Sequence, residues 1–163
     1  MRLFIIFAVS LLVTSSYAQS PNSKREHDPQ FIQIFFHFGK FDELDTFHGT
    51  YQKDIVPGIA KTTMWLTTRE QEIILTKLER LRFFSLPDTV IHLPQNQRIS
   101  PNLGQQVLRI KYKDMERIIT WDFGVGTGQK VMYFIKGIEE LLYDIIVSKP
   151  EYIALPPAKG GYQ

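Results

Sequence analysis

Apolar and polar residues alternate along residues 105–122, and this alternation limits the possible folds more than any other feature of the chain. A period of two residues is typical of β-strands that bury one face, and the stretch is long enough for two of them. A turn at Asp114-Met115 makes a hairpin with three facing pairs: Tyr112 with Arg117, Ile110 with Ile119, and Leu108 with Trp121. In this register the apolar face carries Leu108, Ile110, Tyr112, Ile119 and Trp121. We therefore expect an antiparallel sheet with one buried face.

Three further strands are predicted before the hairpin. Residues 31–38 alternate between two largely apolar faces, so this strand is expected to be central or covered on both sides. Residues 46–55 and 59–66 predict two more strands, and the Val56-Pro57-Gly58 segment between them predicts a turn. Residues 39–45 are rich in acids and predict a turn as well.

Two helices are predicted, and the first has the clearest start signal in the chain. Overlapping capping boxes, Thr67 with Glu70 and Thr68 with Gln71, begin a helix that runs to about Arg82. An apolar stripe predicts a second helix over residues 129–148, which Pro150 ends. The long connection over residues 89–104 and the glycine-rich loop over residues 123–128 complete the pattern, and residues 151–163 predict an extended segment packed on the domain.

The order of these elements predicts the fold class. Strands joined by short turns pair antiparallel, and helices that interrupt them cover one face of the sheet. We expect an α+β domain, with an antiparallel sheet of about five strands and two helices packed on one face.

The N-terminus predicts an export signal. Met1 and Arg2 are followed by an apolar run over residues 3–13 and by Ser16-Tyr17-Ala18, which predicts cleavage before Gln19. The run is shorter than the roughly 20 residues that span a bilayer as a helix. An uncleaved anchor and a buried strand are the alternatives. We expect a signal peptide over residues 1–18, a flexible leader over residues 19–30 and a single soluble domain over residues 31–163, located in the periplasm or secreted.

Composition excludes several functions. The chain of 163 residues has no cysteine, which excludes disulfides, thiolate catalysis and cysteine-containing zinc sites. Its 19 basic and 17 acidic residues nearly balance, so a nucleic-acid partner is not expected. No long apolar run follows the signal peptide, so no membrane span is expected in the mature chain.

Two motifs suggest catalytic or ligand chemistry, but each has a simpler explanation. The glycines of residues 124–128 precede a helix, yet they do not have the GxGxxG spacing of dinucleotide sites, and a plain strand-to-helix connection is favoured. The acids Asp42, Glu43 and Asp45, with His48 nearby, could bind a metal or act in acid–base chemistry, although a solvated turn is favoured. We expect no catalytic residues, no metal and no cofactor.

Two surfaces could bind a partner. The outward face of the hairpin offers a basic stripe made of Arg109, Lys111, Lys113 and Arg117, which would suit an acidic partner. A solvated sheet face kept soluble by charge is the alternative. Phe31, Phe35 and Phe41 could form an exposed apolar patch, although burial in the core is favoured.

Several segments together resemble a loose family of exported bacterial domains of unknown function. They are residues 67–70, residues 83–88, residues 119–122, and the closing Leu155-Pro156-Pro157 and Gly160-Gly161-Tyr162. The resemblance implies an envelope or secreted location and carries no activity or catalytic residue with it.

Three functional hypotheses follow. The leading one is a non-enzymatic binding or structural module of the cell envelope, with another envelope or extracellular protein as its partner. The second is a hydrolase that joins His48 and Asp45 to a group from residues 89–104. The third is an inhibitor that presents this long connection to an envelope enzyme. The sequence does not give the oligomeric state.

Overall fold

The computed structural model describes residues 30–55, 58–92, 104–122, 124–125 and 130–157. Its strands are β1 (Ile32–Phe38), β2 (Asp42–Asp45), β3 (Thr50–Asp54), β4 (Ile59–Thr63), β5 (Thr89–Ile91), β6 (Gln105–Tyr112) and β7 (Met115–Asp122). Its helices are α1 (Thr68–Arg80), α2 (Lys130–Ser148) and α3 (Pro150–Ile153). The expected signal peptide, most of the leader, most of the glycine-rich loop and residues 93–103 of the long connection lie outside the described residues.

The seven strands form one sheet in the order β4-β3-β2-β1-β6-β7-β5. Six of them are joined antiparallel, and β5 pairs parallel with β7 at one edge. The expected α+β class is confirmed, whereas the expected strand number was too low. Two strands account for the difference. β2 lies in the acidic segment predicted as a turn, and β5 lies in the predicted long connection.

The hairpin forms with its expected faces but in a different register. A two-residue turn, Lys113-Asp114, joins β6 to β7, so that Tyr112 pairs with Met115. Lys113 adopts the left-handed conformation, with φ 54°, that tight hairpin turns require. The expected register was therefore wrong by two residues. Because side chains alternate with a period of two, this shift keeps every residue on its face.

One side of the sheet, which we call the inner face, packs against the helices. Its buried residues are Ile32, Ile34, Phe36, Leu44, Tyr51, Leu108, Ile110, Ile119 and Trp121. They share one core with Ile74 and Leu78 of α1 and with Met132, Ile135, Ile138, Leu142, Ile145 and Ile146 of α2. The opposite side is the outer face, on which β1 presents half-buried Gln33 and Phe35. β1 is therefore central in the sheet, as expected, with the helices on its inner face.

The start of α1 is fixed by the predicted capping box. The Thr67 hydroxyl accepts from the Glu70 amide, and the Glu70 carboxylate accepts from the Thr67 amide at 2.7 Å. The same carboxylate lies 2.5 Å from the ammonium of Lys149, at the end of α2. Lys149 is only 6% exposed and also donates to the Trp65 carbonyl at 2.9 Å. One acidic side chain thus joins the first turn of α1 to the last turn of α2.

The C-terminal segment differs from the expected extended conformation at its start. Pro150 ends α2 as predicted, but it also begins α3, because proline is well suited to the first turn of a helix. Tyr152 of α3 packs its ring 5.7 Å from that of Tyr51. In the part of the chain that the structure describes, no helix has the length and apolar character needed to cross a membrane.

Candidate functional site

The four basic residues predicted as a binding stripe do not share one face. Arg109 and Lys111 lie on the outer face, and Lys113 lies in the hairpin turn. Arg117 pairs with inner-face Ile110, and its Nε donates to the carbonyl of Leu86 at 2.6 Å. The stripe is therefore split, with Arg117 engaged in holding the segment that follows α1.

Arg109 is also engaged by neighbouring side chains. Its Nε lies 2.5 Å from Oε1 of Glu116 on the adjacent strand, and its guanidinium lies 4.7 Å from the centre of the Phe47 ring. Opposite charges on neighbouring strands offset each other, so this part of the outer face presents a neutral pair rather than a basic patch.

The acidic segment divides between the two faces of the sheet because β2 is a strand. Glu43 lies on the outer face, with Oε2 3.7 Å from Nδ1 of His37. Asp42 lies on the inner face, where its Oδ1 accepts a hydrogen bond from the Tyr51 hydroxyl at 2.9 Å. Among the described residues, no group of three or more His, Asp or Glu side chains is close enough to hold a metal ion.

Burial changes the acidity of the groups around Asp42. It raises the pKa of the Asp42 carboxyl, although the hydrogen bond from Tyr51 opposes this rise. Burial and the negative charge of Asp42 together raise the pKa of Tyr51 and of Tyr152. The Tyr51 hydroxyl therefore keeps its proton and continues to donate to Asp42. This arrangement stabilises the packing of α3 against β3 rather than forming an exposed reactive group.

Asp45 and His48 do come together. Oδ2 of Asp45 lies 2.6 Å from Nδ1 of His48, and Oδ1 accepts from the amides of Phe47 and His48. The His48 side chain is 77% exposed. Four inter-strand intervals separate β2 from β5, which is about 19 Å at the usual strand spacing. The pair is therefore far from the described part of the 89–104 connection.

The three phenylalanines of the expected patch are partly exposed. Phe31 is 39% exposed and Phe41 is 38% exposed, while Phe35 is half-buried. Phe31 precedes β1 and Phe41 follows it, so the length of the strand, about 23 Å, separates them. They do not form one continuous patch.

A pocket of about 880 Å³ lies between α2 and one end of the sheet, where the strands β1 and β7 end and β6 begins. This volume falls in the range of small-molecule sites, about 300–1,000 Å³. Four segments contribute to it: the end of β1 with Gly39, the start of β6 with Gln106, the residues around Trp121, and one flank of α2. We call it the α2 pocket.

The deep wall of the α2 pocket is apolar and aromatic. Phe36 and Phe38 are stacked with ring centroids 4.5 Å apart, and Trp121 and Met132 continue this wall. Phe36, Trp121 and Met132 are each no more than 3% exposed, so the wall belongs to the hydrophobic core. An apolar group in the pocket would be removed from water against rigid side chains, which is the main source of affinity in such sites.

One buried polar side chain interrupts the apolar wall. Gln106 is 2% exposed, and its Nε2 donates to the carbonyl of Gly39 at 3.1 Å. Gly39 has φ 62°, a conformation that suits glycine. The hydrogen bond therefore holds the turn after β1 against the start of β6 and fixes this side of the pocket.

The rim of the α2 pocket is acidic. Lys136, Glu140 and Asp144 follow Met132 at intervals of four residues, so they lie in one row along the helix. Glu139 and Tyr143 lie beside this row. The Lys136 ammonium lies 3.4 Å from Oε2 of Glu139, which leaves the charges of Glu140 and Asp144 in excess.

The α2 pocket was not predicted from the sequence. Its one sequence signal is the row of polar residues at intervals of four that borders the apolar stripe of α2, directly after the Trp121 strand and its glycines. Such a row is also typical of any solvated helix flank. The strand ends that complete the pocket are brought together only by the sheet order.

The fold and the pocket together define an α+β domain with a ligand-sized cavity beside its second long helix. A scan against protein-family models finds no match to this chain, and a search of the curated proteins finds none either.

Proposed function

We propose that this chain is a non-enzymatic binding module of the cell envelope and that the α2 pocket is its ligand site. The observation that carries the proposal is the cavity of about 880 Å³ whose deep wall is part of the core. Small-molecule sites are concave, lined mostly by apolar and aromatic side chains, and carry a few polar groups at the rim, and the α2 pocket has this form.

The chemistry of the lining favours binding over catalysis. Catalysis by a serine, threonine or cysteine nucleophile with a histidine base has no candidate here, because the described lining residues include none of these side chains. The ionisable lining residues, Lys136, Tyr143 and three carboxylates, lie exposed or half-buried on the rim. The described residues include two His–Asp pairs: Asp45 with His48 where β2 ends, and His92 with Asp122, with Nδ1 3.3 Å from the carboxylate oxygens, where β5 and β7 end. None of these four side chains is among the described residues that line the pocket.

The envelope location rests on the N-terminal sequence and on the resemblance to exported bacterial domains. N-terminal sequencing of the protein recovered from fractionated producing cells tests it. We expect a chain that begins at Gln19 in the periplasm or medium. A chain that keeps Met1 and Arg2 and stays inside the cell would contradict this part of the proposal.

Fluorescence titration with the neutral apolar dye N-phenyl-1-naphthylamine tests the ligand site. We expect the dye to bind with a stoichiometry of one and with increased emission, because the pocket wall excludes water. The variant Glu140→Trp places a large ring over an exposed part of the rim and should weaken binding at least about tenfold, a loss of about 1.4 kcal/mol.

The matched control is Glu79→Trp, which makes the same exchange at an exposed position of α1 away from the pocket. It should leave the dye affinity unchanged. Equal dye affinity in wild type, Glu140→Trp and Glu79→Trp, or no binding to the wild type, would contradict the proposed function.

A further inference from the structure

We infer that the α2 pocket selects ligands that combine an apolar body with a positively charged amine. This inference rests on the proposed function, since it names the ligand class of the same site. Three features of the pocket support it: the apolar wall, the charges on the rim and the aromatic ring that lies between them.

The wall fixes where an apolar body would lie. The stacked rings of Phe36 and Phe38 and the buried side chains of Trp121 and Met132 form its deep side. An alkyl or aromatic group would therefore bind against this wall, with any charged end directed towards the rim.

The rim fixes the sign of the charge at that end. It has three carboxylates, on Glu139, Glu140 and Asp144, against the single ammonium of Lys136, which pairs with Glu139. Within the described part of the chain, the structure shows no ion pair or hydrogen bond for the carboxylates of Glu140 and Asp144. Like charges four residues apart on a helix repel each other and destabilise it. A bound cation would remove this repulsion, whereas an anion would increase it.

An aromatic ring lies at the same place on the rim. Tyr143, between Glu140 and Asp144 in the sequence, is 49% exposed and lies edge to face with Phe38, with ring centroids 6.2 Å apart. Organic ammonium groups bind favourably over aromatic faces, and more strongly where carboxylates share the site. An amine at the rim would therefore meet both charge and ring while its apolar body fills the pocket.

A series of three ligands with one common tail tests the inference. Octylamine, octanol and octanoate are titrated as competitors of N-phenyl-1-naphthylamine on the mature protein. We expect octylamine to compete about tenfold better than octanol, and octanoate to compete worse than octanol. The double variant Glu140→Gln/Asp144→Asn should abolish the preference for octylamine over octanol.

A matched control variant and a peptide competitor complete the test. The double variant Glu72→Gln/Glu79→Gln removes two carboxylates from α1, away from the pocket, and should keep the preference for octylamine. Octanol that competes as well as octylamine, or a preference that survives Glu140→Gln/Asp144→Asn, would overturn the charge selectivity and leave the proposed binding site standing. Failure of all three ligands and of the dye would instead overturn the proposed function. A lysine-rich peptide that competes better than octylamine would overturn the assignment to a small amine.

Discussion

The ring of Tyr143 meets the ring of Phe38 edge to face, with centroids 6.2 Å apart. This contact joins the exposed flank of α2 to the end of the central strand β1, and it closes one side of the α2 pocket. Phe38 is also stacked on buried Phe36, so a half-exposed helix residue is tied to the core through two rings. The pocket is therefore held by the same packing that holds the domain.

Gly49 is expected to be the most sensitive glycine to substitution. Its φ is 67°, and a Cβ at this position would overlap the Trp65 ring. We expect Gly49→Ala to lower the free energy of unfolding by about 2–4 kcal/mol, because backbone strain and overpacking add. Urea denaturation of the purified protein measures this.

Gly104→Ala is the matched control for Gly49→Ala. Gly104 has a similar φ of 63°, but a Cβ there would meet no atom of the described structure within 4 Å. Its expected loss is about 1 kcal/mol, from backbone strain alone. Equal losses in the two variants would contradict the expectation that overlap with the Trp65 ring adds to the loss in the free energy of unfolding.

The ion pair between Lys149 and Glu70 is expected to contribute to folding. Lys149→Met leaves the Glu70 carboxylate and the Trp65 carbonyl without this donor in a largely buried place. We expect a loss of about 3 kcal/mol in the free energy of unfolding, measured by urea denaturation. In Arg69→Met, which breaks the exposed pair with Glu72, the loss should stay below about 1 kcal/mol. A loss in Lys149→Met no larger than that in Arg69→Met would contradict this role.

Asp42 is expected to make stability depend on pH. Burial raises its folded-state pKa above the usual value of 3.8, so the folded chain binds this proton more tightly than the unfolded chain does. The resulting stabilisation is present below the unfolded pKa and is lost as pH rises through the folded pKa. The stability of Asp42→Asn relative to wild type should therefore increase as the pH rises from about 4 towards neutral.

Urea denaturation across this pH range measures the effect of Asp42→Asn. The variant Asp114→Asn, in the exposed hairpin turn, is the matched control for the loss of one negative charge. A difference between Asp42→Asn and wild type that falls with rising pH would contradict the assigned direction.

His48 tests the hydrolase hypothesis. Its side chain is 77% exposed and, among the described residues, its hydrogen-bond partner is Asp45, so His48→Ala should change the free energy of unfolding by less than about 0.5 kcal/mol. We also expect unchanged binding of N-phenyl-1-naphthylamine. If His48→Ala abolished a hydrolytic activity of the wild type while the melting temperature stayed the same, the hydrolase hypothesis would replace the binding module.

Local sequence signals predicted the helices and the hairpin well, because these elements depend on residues close in sequence. The capping box at Thr67 and the faces of β6 and β7 were correctly predicted. Arg117 was assigned to the outer face, which is wrong. It lies two residues before Ile119, and residues two apart on a strand share a face, so the sequence indicates the inner face. The hairpin register was wrong because the alternation alone does not distinguish a two-residue turn from a longer one.

The strands that were missed depend on distant partners. β2 has the sequence DELD, and aspartate is rare in strands; here Asp42 is held by Tyr51 and Leu44 is buried. β5 has only three residues and forms by parallel pairing with β7, some 30 residues further along the chain. The α2 pocket was missed for the same reason, since no single segment of the sequence contains it.

Chemical-shift mapping by NMR tests the binding site most directly. Isotope-labelled protein is titrated with N-phenyl-1-naphthylamine, and the amide and indole signals are followed. We predict the largest shifts at Phe38, Gln106, the Trp121 indole and residues 136–144, with little change at Arg109 on the outer face. Largest shifts at Arg109 and Phe31, or no localised shifts at all, would contradict the assignment of the α2 pocket as the ligand site.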